Sequence, residues 1–258
     1  MTSKANQLPS ISILGTRVHM VEISDVVQLM DSWIATEPHR CHHVVNTGMH
    51  GIMEAHRDPE FKSILKSADV LAPDGILVTL IARLRGFAIR KANTGPDLLW
   101  EFSRLADSKS YSYFVYGDTE NTLELLSAKL EASFPGLKIA GYHSPPFRPL
   151  TEEEEDVAIA EINACAPDVL WVGLGMPKQE RWIAENRSRL DVPVVVGAGA
   201  AFKFASGTVR RAPAWLRNAG LEWLWRLLQE PCRVWRRVFL DAPQFLGLVA
   251  LELAGLKK

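Results

Sequence analysis

The stretch PDVLWVGLGMPKQERWI, residues 167–183, reads in succession as a buried strand, a glycine turn and a helix. Asp168 to Gly173 is an apolar run of strand length, and Lys178 to Arg189 carries helical spacing. A second apolar run, Val192 to Gly197, follows at once, so the unit is strand–helix–strand, which favours a parallel pair. Working outward, the same grammar recurs. Upstream lie a strand at Tyr111 to Tyr116, a helix at Thr122 to Phe134 and a strand at Leu137 to Tyr142. A proline-rich loop, His143 to Pro149, precedes an acidic helix, Glu152 to Ala164, capped by Thr151. Earlier still, His43 to Asn46 and Ala68 to Ala72 read as strands around helices at Gly48 to Arg57 and Pro59 to Lys66. Ser10 to Val21 is a strand pair turning at Gly15, and Ser24 is placed to cap a helix through Ile34. Ile76 to Leu84 is apolar nearly all round and predicts a buried helix.

The expected fold is therefore α/β, a doubly wound and mostly parallel sheet over residues 1–207. After Gly207 the composition shifts to a helical, arginine- and tryptophan-rich appendage, residues 208–258. It carries Arg210, Arg211, Arg217, Arg226, Arg233, Arg236 and Arg237 among Trp215, Trp223, Trp225 and Trp235. Such a mixture suits a helix lying on anionic lipid, with tryptophans at headgroup level. Packing on the domain or binding nucleic acid are the alternatives, and no nucleic-acid module is recognisable.

The chain has 258 residues and a formal net charge of −1, so no global basic field argues for nucleic acid. Cys41, Cys165 and Cys232 form no CxxC pair, which fits a reducing cytoplasm. No apolar run is long enough to span a bilayer and the first residues lack a signal-peptide pattern, predicting a soluble body. The histidines His39, His42, His43, His50, His56 and His143 show no metal-ligand spacing, so no metal and no cofactor are expected. His42 and His43 open a strand and point to opposite faces.

In doubly wound sheets ligands sit beyond the carboxyl ends of the strands. The turns to inspect there are Asn46-Thr47, Pro73-Asp74-Gly75, Gly117-Asp118, Gly173 to Gln179 and Gly197 to Lys203. Gly173/Gly175 and Gly197/Gly199 lack the third glycine of a dinucleotide fingerprint, because Lys178 and Phe202 stand there. That counts against a nucleotide-dependent oxidoreductase. The turns still offer backbone N–H groups to a diphosphate. Asp74 is placed to deprotonate a hydroxyl, or else simply to cap the following helix. Lys178 and Gln179 would face bound phosphate or sugar, while Glu180 and Arg181 could equally be solvated. Gly95 and Asp97 sit at another turn and helix start, where Asp97 could act as a cap.

Five segments, ADVLAPDGILV, TGPDLL, PDVLWVGLGMPKQERWI, GTVRRAPAW and GLEWLWRLLQEPCRVWRR, together resemble the WecG/TagA/CpsF family of glycosyltransferases, family 26. The resemblance runs from about Ile13 to Arg237. It implies a Rossmann-like fold and inverting transfer, without an essential metal, from a UDP-sugar to a polyprenyl-diphosphate-linked sugar. The setting it implies is exopolysaccharide or other cell-surface polysaccharide assembly at the inner membrane face. Asp74 matches the family's base, with Asn46 and Thr47 at the first crevice turn, and Gln179 matches a pocket glutamine. Arg210 and Arg211 lie in the RRAP motif. Arg226, Arg233 and Arg236 fall where an appendage closing over the site would meet the diphosphate. The chain departs from the pattern at Ala92, where an arginine is frequent and only Arg90 is near. It departs again at Lys203, where an aspartate is frequent. These departures resemble a glucosyl-transferring subgroup, and they leave a catalytically silent nucleotide-sugar-binding subunit as the alternative.

Overall fold

The computed structural model describes residues 8–89 and 92–255, with the backbone alone at Asn218 and Arg233. A hairpin opens the chain, β1 (Ser10–Ile13) and β2 (Thr16–His19), turning through Leu14 and Gly15 at φ 50° and 74°. Helix α1 (Ile23–Thr36) follows. Its N-cap is Glu22, in a reciprocal box with Asp25, and the expected cap at Ser24 is already past the helix start. A carboxylate at the cap takes the free N–H groups as a serine would, and it sits better against the positive helix end.

Six parallel strands form the main sheet: β3 (His42–Thr47), β4 (Val70–Pro73), β5 (Ser112–Gly117), β6 (Lys138–His143), β7 (Val169–Gly173) and β8 (Val194–Gly197). They lie in the order β4-β3-β8-β7-β5-β6. The connecting helices are α2 (Met49–Arg57), α3 (Pro59–Ser67), α4 (Ile76–Leu84), α5 (Gly95–Lys109), α6 (Glu120–Ser133), α7 (Glu152–Cys165), α8 (Lys178–Asn186) and α9 (Ala201–Ser206). The near-continuous apolar strands are explained by burial on both faces. On one face α1, α5, α6 and α9 pack Met30, Trp33, Leu98, Phe102, Leu126 and Phe202 onto Tyr113, Val115, Trp171 and Val196. On the other, α2, α3 and α4 cover Val45 and Leu71, while α7 and α8 cover Phe114, Tyr116, Leu170 and Val195. The helices after β5 and β7 leave to opposite faces, as do those after β3 and β8, the arrangement that places ligands beyond strand ends in such sheets.

The sequence-derived expectation of a fully buried helix at Ile76 to Leu84 is half right. Val78, Ile81 and Ala82 are buried, but Ile76, Leu80 and Leu84 are 43%, 47% and 70% exposed. Their spacing of four puts them on one stripe, so an apolar helix shows one face outward.

The segment after Gly207 forms α10 (Ala214–Asn218), α11 (Glu222–Gln229), α12 (Pro231–Arg236), a π-helical turn (Arg237–Asp241) and α13 (Ala242–Leu253). Phe245 and Val249 of α13 enter the core beside Ile52 and Phe61. Glu252 accepts the Leu14 N–H at 3.0 Å and pairs with Arg85, and Arg57 pairs with Asp241 at 2.7 Å. The large apolar side chains Trp215, Trp223, Leu228, Trp235, Phe239 and Leu240 are exposed. Among the described residues no helix is long and apolar enough to cross a membrane.

Candidate active site

Strand register aligns the turns at one end of the sheet. Thr47 pairs with Pro73, Gly117 with Gly173, and Gly197 with both Val45 and Val172. Here β3 and β4 end together. The Asp74 N–H donates to the Thr47 carbonyl at 2.8 Å, and the Asn93 N–H donates to the Pro73 carbonyl at 2.8 Å. Asn93, itself buried, also donates through Nδ2 to the Val21 carbonyl at 2.6 Å, which pins the segment leading to α5. A Cβ on Gly48 would lie 2.8 Å from the Asp74 carbonyl oxygen, so only glycine permits these two turns to approach so closely.

Asp74 is half-buried, and its carboxyl is pushed up to about 7. Burial is the main cause, and the Glu222 and Asp97 carboxylates add to it while Arg226 and the Gly75 N–H oppose it. Gly75, not Asp74, is the N-cap of α4, so the plain capping alternative for Asp74 does not hold. Beside it, Oδ1 and Nδ2 of Asn46 and Oγ1 of Thr47 are buried with no hydrogen-bond partner. Buried polar atoms are rarely left so, which marks these strand ends as a candidate polar site.

The other sequence-derived residues divide into those left open and those already engaged. Gln179 is buried, and its Oε1 accepts the N–H groups of Gly175 at 3.1 Å and Gly199 at 2.9 Å. Its Nε2 donates to Glu180 at 2.7 Å. Gln179 therefore clamps the turns after β7 and β8 to each other and engages two of the amides expected to face phosphate. Glu180 is not solvated: it is 0% exposed and its carboxyl is pushed up to about 7 by burial. Arg181 is not free either; it pairs with Asp58 and Glu60 and lies over the Phe61 ring. Lys178, at the start of α8, is exposed and has no ion-pair partner among the described residues.

Two of the glycines are packing glycines. A Cβ on Gly173 would sit 2.3 Å from the Phe202 ring, and one on Gly117 would sit 2.7 Å from the Gly173 backbone. A Cβ on Gly197 would lie 2.6 Å from Gln179 Nε2, and one on Gly95 would lie 3.1 Å from the Ala198 carbonyl. Gly175, at φ +79°, has open space around it.

Asp97 and Arg211 are brought together. Thr94 caps α5, and Asp97 in that helix's first turn takes both ends of the Arg211 fork, with Nη2 at 2.9 Å from Oδ2. Arg217 stands 3.7 Å from the same carboxylate, a contact that the sequence reading missed. Arg210 and Arg236 are exposed and unpaired among the described residues, and Arg226 lies over the Phe204 ring. The side chain of Arg233 and the whole of Arg90 lie outside the described residues. Lys203, in α9, is half-buried and has no ion-pair partner among the described residues.

His42 and His43 do point to opposite faces. His42 stacks on Trp33 with ring centroids 4.3 Å apart, and His43 packs beside Arg187 and Asp69. Both are buried at the far end of the sheet from Asp74. No group of three or more metal-ligating side chains is arranged to hold an ion among the described residues.

The fold is Rossmann-like α/β, and the Asn46 and Thr47 cluster of unpartnered polar atoms sits at the ends of its strands. The chain belongs to the glycosyl transferase WecG/TagA/CpsF family, whose model matches residues 11–258, and it is a glycosyltransferase. One relative, the N-acetylglucosaminyldiphosphoundecaprenol N-acetyl-β-D-mannosaminyltransferase of Bacillus spizizenii, is 35% identical over 196 residues. That match covers 76% of this chain and 74% of the relative. The enzyme of the same name from Bacillus subtilis strain 168 is 32% identical over the same shares. The one from Staphylococcus aureus strain MW2 is 22% identical over 96% of this chain and 95% of its own length.

Proposed function

We propose that this transferase moves a hexose from a UDP-sugar, UDP-N-acetylmannosamine or UDP-glucose, to a polyprenyl-diphosphate-linked sugar, with inversion at the anomeric carbon. The observation that supports it most is the half-buried Asp74 carboxylate, raised to about 7, beside the unpartnered Asn46 amide and Thr47 hydroxyl. A base of that strength accepts a proton from a sugar hydroxyl more readily than an ordinary carboxylate does. In the proposed step Asp74 takes the acceptor's hydroxyl proton as that oxygen attacks the anomeric carbon. The bond from this carbon to the β-phosphate oxygen breaks, and UDP leaves with the electron pair. Asn46 and Thr47 hold sugar hydroxyls, while Lys178, Arg210, Arg226 and Arg236 stabilise the charge growing on the diphosphate. Of the glycines, Gly175 has the open space to approach the donor, while Gly95, Gly117, Gly173 and Gly197 let the surrounding turns pack closely.

Relatives named for an N-acetylmannosaminyl donor and an N-acetylglucosaminyl-diphosphoundecaprenol acceptor support that pair first. Ala92 and Lys203 keep UDP-glucose in the panel. Residues 208–258 are proposed as the membrane-meeting part, their exposed tryptophans and leucines resting on the inner face of the cell membrane. The test is a panel of UDP-sugars with a short-chain polyprenyl-diphosphate-linked N-acetylglucosamine, following UDP release and lipid product together. Acceptor-dependent release with one donor is expected. Donor binding without turnover across the panel would overturn the reading in favour of a silent binding subunit.

A further inference from the structure

Two arginines stand side by side in the RRAP motif, and the structure treats them differently. Arg211 makes four hydrogen bonds: to both Asp97 carboxylate oxygens, to Thr94 Oγ1 at 3.0 Å and to Glu222 at 3.3 Å. A guanidinium has five N–H donors, so this side chain is nearly saturated by its own protein. The Arg210 side chain is exposed and unpaired among the described residues. Its carbonyl, however, receives Trp225 Nε1 at 3.2 Å and Gln229 Nε2 at 3.0 Å, both from α11. Around this pair, Arg217 of α10 adds a second cation to Asp97, and Gly220 sits so close to Ile76 that a Cβ there would lie 3.0 Å from it. The Thr94, Asp97 and Ile76 contacts join this segment to the turns around Asp74, while the Glu222, Trp225 and Gln229 contacts hold α11 to the RRAP motif itself.

We propose that Asp97 and Arg211 are positioning residues: their ion pair holds α10 and α11 across the strand ends so that Glu222 and Arg226 stand at Asp74. The pair links the first turn of α5, fixed to β4 through Asn93 and Pro73, to the first residue of α11 through Glu222. Glu222 and Arg226 are four residues apart on α11 and thus share one of its faces. Both are felt by the Asp74 carboxyl. Of the two RRAP arginines, Arg210 is then the one free to meet an anion, and Arg211 is the pin. The inference rests on Asp74 as the reacting centre only for its kinetic consequence, since the holding itself is a property of the protein without substrate.

The experiment compares the full chain with Arg211→Ala, with Asp97→Asn, and with the charge swap Asp97→Arg/Arg211→Asp. Hydrogen exchange is read over residues 214–229, with α6 as the internal control for an intact fold. Calorimetry with UDP measures the donor side, and KM and kcat for the lipid-linked acceptor are measured separately. Each single variant is expected to exchange at least tenfold faster over 214–229 and to raise the acceptor KM, with UDP affinity falling severalfold as Arg226 is released with α11. The swap is expected to restore only part of the protection, because it turns the Arg217 and Glu222 contacts into like-charge pairs. Where Arg211→Ala also loses α6 protection, Arg211→Lys replaces it, and partial protection over 214–229 is the expected result. Unchanged exchange in the single variants would overturn the inference. So would a tenfold loss of UDP affinity with exchange intact, which would make Arg211 a phosphate ligand. A chain that turns over no donor would sink the functional proposal and still leave the exchange result standing.

Discussion

Glu180→Gln removes a buried titratable group without changing its shape, and the structure sets the size of the effect. The Glu180 side chain is fully buried, one oxygen accepts from Gln179 Nε2 at 2.7 Å, and the other has no partner. Its carboxyl is raised from 4.5 to about 7, chiefly by burial. A raised acid holds its proton longer in the folded chain than in the unfolded one. Between 4.5 and 7 the native state therefore binds more protons, and stability falls as pH rises. The full loss, reached above the folded value, is about 3 kcal/mol from a shift of this size. Glutamine keeps an acceptor oxygen for Gln179 and carries no charge. Glu180→Gln is thus expected to match the wild type near pH 4.5 and to be more stable by about 3 kcal/mol near pH 8.5. In a chain of this length that corresponds to a melting temperature roughly 6–12 °C higher. Thermal or urea unfolding of both proteins across this range checks it. The quantity to plot is the difference between them, because Asp74, also raised, contributes equally to both and cancels. A flat difference from pH 5 to pH 8 would refute the reasoning.

Asp74→Asn is expected to lower turnover by about 100-fold or more, the scale of general-base catalysis, with UDP binding retained by calorimetry. Near-normal turnover would remove Asp74 from the role of base. Because the ionised carboxylate is the active form and its value is about 7, kcat/KM should rise with pH through that value and level off above it. A profile flat from pH 5.5 to 8.5 would contradict this. Gly173→Ala would drive a methyl into the Phe202 ring, and a destabilisation of about 1–3 kcal/mol is expected in urea titration. Lys178→Ala, at an exposed and unpaired position, should weaken UDP binding about tenfold, the size of one charge-assisted contact, while leaving the melting temperature unchanged.

The alternation of strands and helices was legible because parallel strands are short apolar runs and each ends in a glycine or proline turn. For the same reason Asn46, Thr47 and Asp74 could be placed at one end of the sheet: a residue just after a strand in such a fold has nowhere else to be. What could not be read is which charged groups meet. Asp97 and Arg211 are 114 positions apart, and nothing in either neighbourhood announces the other. Glu180 looked like any helix carboxylate, because the space it fills exists through a missing side chain on another strand. A Cβ at Gly197 would stand 3.0 Å from its oxygen. Gln179 matched as a pocket residue, yet its role as a clamp depends on two turns from different strands converging on one amide. The Ile76 to Leu84 helix misled in a different way: uniform apolarity reports the absence of charge and is silent on which face is covered.

The last helix is stitched to the first hairpin through Glu252 and Leu14, and it sinks Phe245 and Val249 into the core behind α2. Phe245 and Val249 share that core with Ile52 of α2 and Val45 of β3, so the last helix buttresses from behind the strand that ends in Asn46 and Thr47.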